Sequence, residues 1–256
     1  MTESEWWAAT EPRRLVRWLF DQHSPSDRKR RLFAHACATH LWQIIPNWHM
    51  AKYLGVAGEF IDGKIDHATL RSHIAEGDAE ALGLTWSGVH YTRAHPPPRY
   101  GAATDFLSMC CQEFTPARSV VAESECLRQI LFAASVTAES MYEAALRVDA
   151  SDPASLHAYA ALLHEIFGPL PFRDVPIDPA WLTSTVVALA RGIYDDKDFT
   201  RMPILADALQ DADCTNAEIL KHCRDTNHTH VRGCWVLDLL LGRPWREANA
   251  APVSRD

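Results

Sequence analysis

Apolar residues return every three to four positions over long stretches of the chain, the repeat of a helix with one buried face. Thr10 and Pro12, an N-cap and a first-turn proline, open a short helix through Leu15, Leu19 and Phe20. Ser26 and Asp27 cap a second, predicted over 28–45, with Leu32, Phe33, Ala36, Cys37, Leu41 and Ile44 on its apolar stripe. Pro46 stops it. Asn47 starts a third through Leu54, Ala57 and Phe60, and Asp66 caps another over 67–76. Between 83 and 101 the repeat fails. Gly88 and the run Pro96, Pro97, Pro98 predict a long loop or inter-lobe linker there. Helical spacing resumes from Asp105 to Phe114, from Thr115-Pro116 towards Leu146, and from Asp152-Pro153 to Phe167, where Gly168 and Pro169 end it.

Pro169, Pro171, Pro176 and Pro179 exclude regular helix over 168–179 and mark a second boundary. Beyond it, Asp178-Pro179 is read as the cap of a helix through Trp181, Val186, Leu189 and Ile193, and Met202-Pro203 as the start of one reaching Leu209. Thr215 to Glu218 reads as a capping box for a short helix ending at Cys223, and Gly242 closes a last helix over Gly233 to Leu241. Only 84–91 and 170–175 suggest short strands. The expected fold is therefore mainly α, an irregular multi-helix bundle that divides, on one reading, into two helical lobes. The N-terminal helical region spans 1–168, a C-terminal helical subdomain spans 176–245, and 246–256 is expected to be a disordered tail.

Composition narrows the function classes. The 256 residues are 47% hydrophobic and 23% charged, a globular balance. A net charge of −8 argues against a nucleic-acid binder, so the basic run Arg28, Lys29, Arg30, Arg31 is read as a solvated helix start. No apolar run is long enough to span a membrane. Residues 1–11 lack the basic start and apolar stretch of a secretory signal. With an odd count of seven cysteines, reduced thiols in a cytoplasmic protein are expected. Nine tryptophans point to several packed layers or a contact surface.

The densest candidate chemistry lies between Cys214 and Cys234, which also holds His222, Cys223, His228 and His230. Zinc needs four such donors in a tetrahedron, and Cys214, Cys223 (or His222), His230 and Cys234 could converge on one ion. The spacing fits no standard finger. The competing reading needs no cofactor: the cysteines are small buried hydrophobes, and His222 sits against a helix C-terminus. A thiol enzyme is a third reading, with the Cys234 pKa lowered at a helix start, His230 as base and Asp238 as orienter. Asp207 and Asp238 lie in apolar helices, where Arg232 or Arg191 would pair with them. Phosphate loops, nucleophile elbows and metalloprotease signatures are absent.

The segments Ile166 to Phe172, Pro179 to Leu182, Ile204 to Leu209 and His230 to Asp238, with the start Met1-Thr2-Glu3-x-Glu5-Trp6, resemble a bacterial family heavily duplicated in some large genomes. The helix at Arg31 to Cys37 matches too, although His35, Ala36, Cys37, Ala38 is poorer in cysteine than that family's pattern. The resemblance implies no activity. The phrase at Leu205-Ala206-Asp207 is similar to short helical domains that accompany repeat proteins, which implies protein interaction by analogy. The leading expectation is a non-enzymatic helical module that binds a protein partner through Arg232, Trp235 and Asp238. The alternative is a zinc-binding or thiol-dependent protein.

Overall fold

The computed structural model describes residues 1–44, 48–66, 68–70, 72–73 and 153–246. Expectations for the loop at 83–101, the strand at 84–91, the helices between Asp105 and Leu146, and residues 247–256 lie outside the described residues. Those described are mainly α-helical, with no strand and a single isolated bridge between Pro25 and Arg246. None of their helices is long and apolar enough to cross a membrane.

Among the described residues, five helices come from the N-terminal region: α1 (Glu3–Ala8), α2 (Pro12–His23), α3 (Asp27–Ile44), α4 (Trp48–Ile61) and α5 (Pro153–Phe167). Helix α1 is held by a capping box, in which Thr2 Oγ1 accepts from Glu5 N and the Glu5 carboxylate accepts from Thr2 N. Helix α5 packs on α2 and α3, and α3 packs on α4. Together they bury Trp6, Leu15, Leu19, Phe33, Leu163 and Phe167 in one core.

Four helices follow: α6 (Ser184–Asp196), α7 (Met202–Asp211), α8 (Ala217–Arg224) and α9 (Trp235–Leu240). They surround a second core of Val186, Ile193, Leu205, Leu209, Ile219, Trp235 and Leu237. Two expected caps are corrected here. Asp178 caps only a single 3-10 turn, Pro179–Trp181, and α6 starts at the hydroxyl of Thr183. Helix α8 is capped by Asn216, whose Oδ1 accepts from Glu218 N and Ile219 N, and not by a Thr215 box. Residues 170–175 form turns and coil and not a strand.

The two cores meet along α5 and α9. Gly168 ends α5 at φ +52°, and a Cβ there would lie 2.6 Å from the Trp235 indole, so only glycine lets the helix end close on that ring. Gly233, at φ +91°, sits close to Leu32 of α3, where a Cβ would lie 2.9 Å from that side chain. Trp245 packs against both cores, and its carbonyl accepts from Ser26 N at 2.8 Å.

Candidate metal centre

Glu165 sits in the last turns of α5 with no solvent exposure. A carboxylate removed from water needs hydrogen-bond donors, and three arrive from the loop after α8, with His222 of α8 beside them. His228 Nε2 is 2.8 Å from Oε2 and His222 Nε2 is 3.3 Å from it. His230 Nδ1 is 3.1 Å from Oε1, and Val231 N donates to the same oxygen at 3.4 Å. Cys234 Sγ completes the group, 3.2 Å from His222 Nε2. One donor atom each from Glu165, His222, His230 and Cys234 lies within 4.8 Å of the others.

Local structure aims each side chain. Ile219 and Cys223 anchor α8 in the second core, and His222 turns from that face towards Glu165. Asp225 shapes the loop after α8, its carboxylate accepting from Asn227 N and its carbonyl from His228 N. Cys234 is the buried N-cap residue of α9 and donates its N–H to Val231 O.

The indole N–H of Trp235 can only donate, and it reaches His222 Nδ1 at 3.3 Å. The neutral His222 ring therefore carries its proton on Nε2, facing Glu165 and Cys234. Burial lowers the His222 pKa to about 4. The hydrogen bond to Glu165 raises that of His228. Burial opposes ionisation of Glu165, but the neighbouring His222 and the hydrogen bonds from His228 and His230 outweigh it and hold the carboxyl well below its usual range.

Burial, reinforced by the Glu165 charge, raises the Cys234 pKa well above that of an ordinary thiol, the opposite of the lowering expected at a helix start. Cys223 is likewise pushed up to about 12 by burial.

The structure brings together His230 and Cys234 of the expected metal set and leaves Cys214 and Cys223 buried in the second core. His222 and Glu165 stand in their places. Glu165 lies 63 residues before His228 and had no motif to announce it. Its one local signal is a carboxylate within the apolar run Tyr159 to Phe167. His222 is not spent on a helix C-terminus but on Glu165, Cys234 and Trp235.

Arg232, Trp235 and Asp238 all point inward. Asp238 pairs with neither Arg232 nor Arg191. It accepts from Arg28 Nη1 at 2.9 Å and Nη2 at 3.1 Å, and lies 2.8 Å from Lys29 Nζ. Lys29 is thus fully buried, contrary to the solvated helix start expected; its ammonium also donates to Ile166 O and Gly233 O, both at 2.7 Å. Arg232 pairs with Asp62, which also accepts from Tyr194 Oη. Asp207 is exposed and pairs with Arg224. Compared with family models, curated proteins and solved structures, the chain matches none.

Proposed function

We propose that this protein holds a divalent transition-metal ion, zinc by its donor set, between Glu165, His222, His230 and Cys234. The observation that carries the reading is the convergence of four suitable donor atoms within 4.8 Å from three separate stretches of chain. Tetrahedral zinc, with bonds of about 2.0–2.3 Å, holds its donors roughly 3.3–3.7 Å apart. The 3.3 Å between His222 Nε2 and Glu165 Oε2 and the 3.2 Å between His222 Nε2 and Cys234 Sγ are close to that spacing. Charge supports the same reading. One carboxylate and one thiolate neutralise a dication, and two neutral imidazoles complete the shell with donors that suit zinc over magnesium or calcium.

Loading has a cost. Cys234 must lose its proton, and His222 must move its proton from Nε2 to Nδ1, surrendering the Trp235 hydrogen bond. That bond is worth about 1 kcal/mol. Structural zinc sites supply roughly 10–16 kcal/mol, and the proton on the buried Cys234 is the larger cost to set against that. The bound ion would lock α5 to α8 and the start of α9, a structural role. His228, 27% exposed beside Glu165, marks the solvent side of the site.

Elemental analysis of protein purified without chelator tests this. One zinc per chain is expected, and cobalt(II) substitution should give a thiolate charge-transfer band that Cys234→Ser abolishes. No uptake from zinc or cobalt solutions, or uptake indifferent to both Cys234→Ser and Glu165→Gln, would refute the site. The interaction reading draws less from the geometry: Arg232, Trp235 and Asp238 are turned inward, and the exposed large apolar side chains among the described residues are Trp7, Leu182 and Ile204.

A further inference from the structure

We infer that the protein also binds a doubly charged oxyanion, of the phosphate class, at the guanidinium cluster of Arg28, Arg232 and Arg243 around Tyr194. The three Cζ atoms lie 5.8, 5.2 and 3.9 Å from the centroid of the Tyr194 ring. They come from α3, the loop before α9 and the residues after it, so the fold and not the local sequence gathers them.

The cluster is oversupplied with cations. Arg28, Lys29 and Arg243 all address one carboxylate, Asp238, while Arg232 has Asp62. Three guanidiniums and one ammonium thus face two buried carboxylates. Glu59 is near enough to Arg232 to act on it, but it is exposed. In a protein of net charge −8 this concentration of positive charge runs against the overall balance.

Its donors are also incompletely used. Lys29 has three acceptors, and Arg28 is occupied by Asp238 and Tyr194 Oη. Arg243 Nη1 comes no closer than 3.8 Å to Asp238. Arg232 Nε and Arg243 Nη1 are buried and hydrogen-bond to nothing among the described residues. Arg232 is 8% exposed, and an unmet guanidinium N–H at that depth calls for an acceptor. Arg28 and Arg243, at 22% and 30%, leave the cluster open to solvent on one side. An excess of cations over buried carboxylates suits a phosphate, and arginine forks match its oxygens.

Titration calorimetry with inorganic phosphate at fixed ionic strength tests the site, with acetate and chloride as controls. Saturable phosphate binding is expected, with none from the monoanions. Arg243→Gln should weaken it about tenfold, the worth of one charge-assisted contact. That variant leaves Arg28 and Lys29 on Asp238, so folding is retained; circular dichroism checks this. Lys221→Gln, which removes an exposed cation on α8, should titrate as the parent does. Tighter binding of glycerol phosphate than of phosphate would mean that a small phosphoester carries the group; equal or weaker binding would mean the free ion. Absence of saturable binding, or full binding by both Arg243→Gln and Arg28→Gln, would overturn the assignment. Cys234→Ser should bind phosphate normally, so the metal reading and this one fail separately.

Discussion

Glu165 and Asp238 are both carboxylates cut off from solvent at the seam between the two cores, yet they are balanced by opposite kinds of partner. Around Glu165 stand imidazoles and a thiol, groups that can be neutral and that can ligate metals. Around Asp238 stand an ammonium and guanidiniums, cations that pair with the carboxylate. The first arrangement keeps its charge adjustable and can exchange protons for an ion. The second is a fixed rivet that joins α3 to α9, and its surplus positive charge faces outward. Four residues separate Cys234 from Asp238, so one short helix carries both kinds of burial.

The largest expected effect tests the rivet. Lys29→Met removes three donors at once, leaving the carbonyls of Ile166 and Gly233 unpaired in a dry interior. A loss of about 3–5 kcal/mol is expected in denaturant unfolding, the range for breaking a buried ion pair. A loss below about 1 kcal/mol would mean that water or Arg28 takes over, and that the two regions are less different than their partners suggest.

Acid should separate the two regions next. The folded pKa of His222 lies at about 4, below the ordinary 6.5 of the unfolded chain. The unfolded state therefore binds the proton first, and stability is complete above 6.5 and falls as pH drops towards 4. The worth of this is about 3 kcal/mol at most. His228, raised by Glu165, acts in the opposite sense: its contribution is present below 6.5 and fades as pH rises through its folded value. The arginines hold their charge across this window, so Asp238→Asn should change the slope of metal-free protein less than His222→Gln, which removes one of four histidines among the described residues whose pKa burial lowers to about 4. Urea midpoints between pH 4 and 7 decide the matter; equal slopes in parent and His222→Gln would refute it.

Glu165→Gln should separate the regions by ligand. Without metal His228 loses the carboxylate that favours its charged form, and a loss of about 1–3 kcal/mol is expected. With zinc the gap should widen, because the parent alone gains the stabilisation of a bound ion. Thermal unfolding with and without chelator measures both. A gap that zinc does not change would make Glu165 a structural carboxylate only.

Helices were legible wherever caps and periodicity agreed. Pro12, Asp27 and Pro153 each open a helix where the pattern placed one, because a cap acts within a single turn. Thr183 was hidden by the stronger-looking Asp178-Pro179, and the Thr2–Glu5 box by an N-terminus read only for its charge. The site was half legible. His230 and Cys234 share a short loop and helix start, but Glu165 reaches them through the packing of α5 on α9, which no local rule encodes. Lys29 misled for the same reason: among arginines it resembles a solvated run, and only the fold brings Ile166 and Gly233 to its ammonium.

The smallest effect is the most discriminating. Trp235→Phe keeps an aromatic ring under Gly168 but deletes the N–H that fixes the His222 tautomer, together with part of the buried indole. Metal-free protein should lose about 1–3 kcal/mol, one neutral hydrogen bond plus the packing of the missing ring atoms. Zinc affinity should not fall and should rise up to about fivefold, because His222 no longer surrenders a partner when Nε2 turns to the ion. Competition titration against a chromophoric chelator reads that change, and denaturation in chelator reads the first. Weaker zinc binding by Trp235→Phe would mean that the indole holds the ring for the metal. The protonated arrangement around Glu165 would then be the site's purpose and not its resting form.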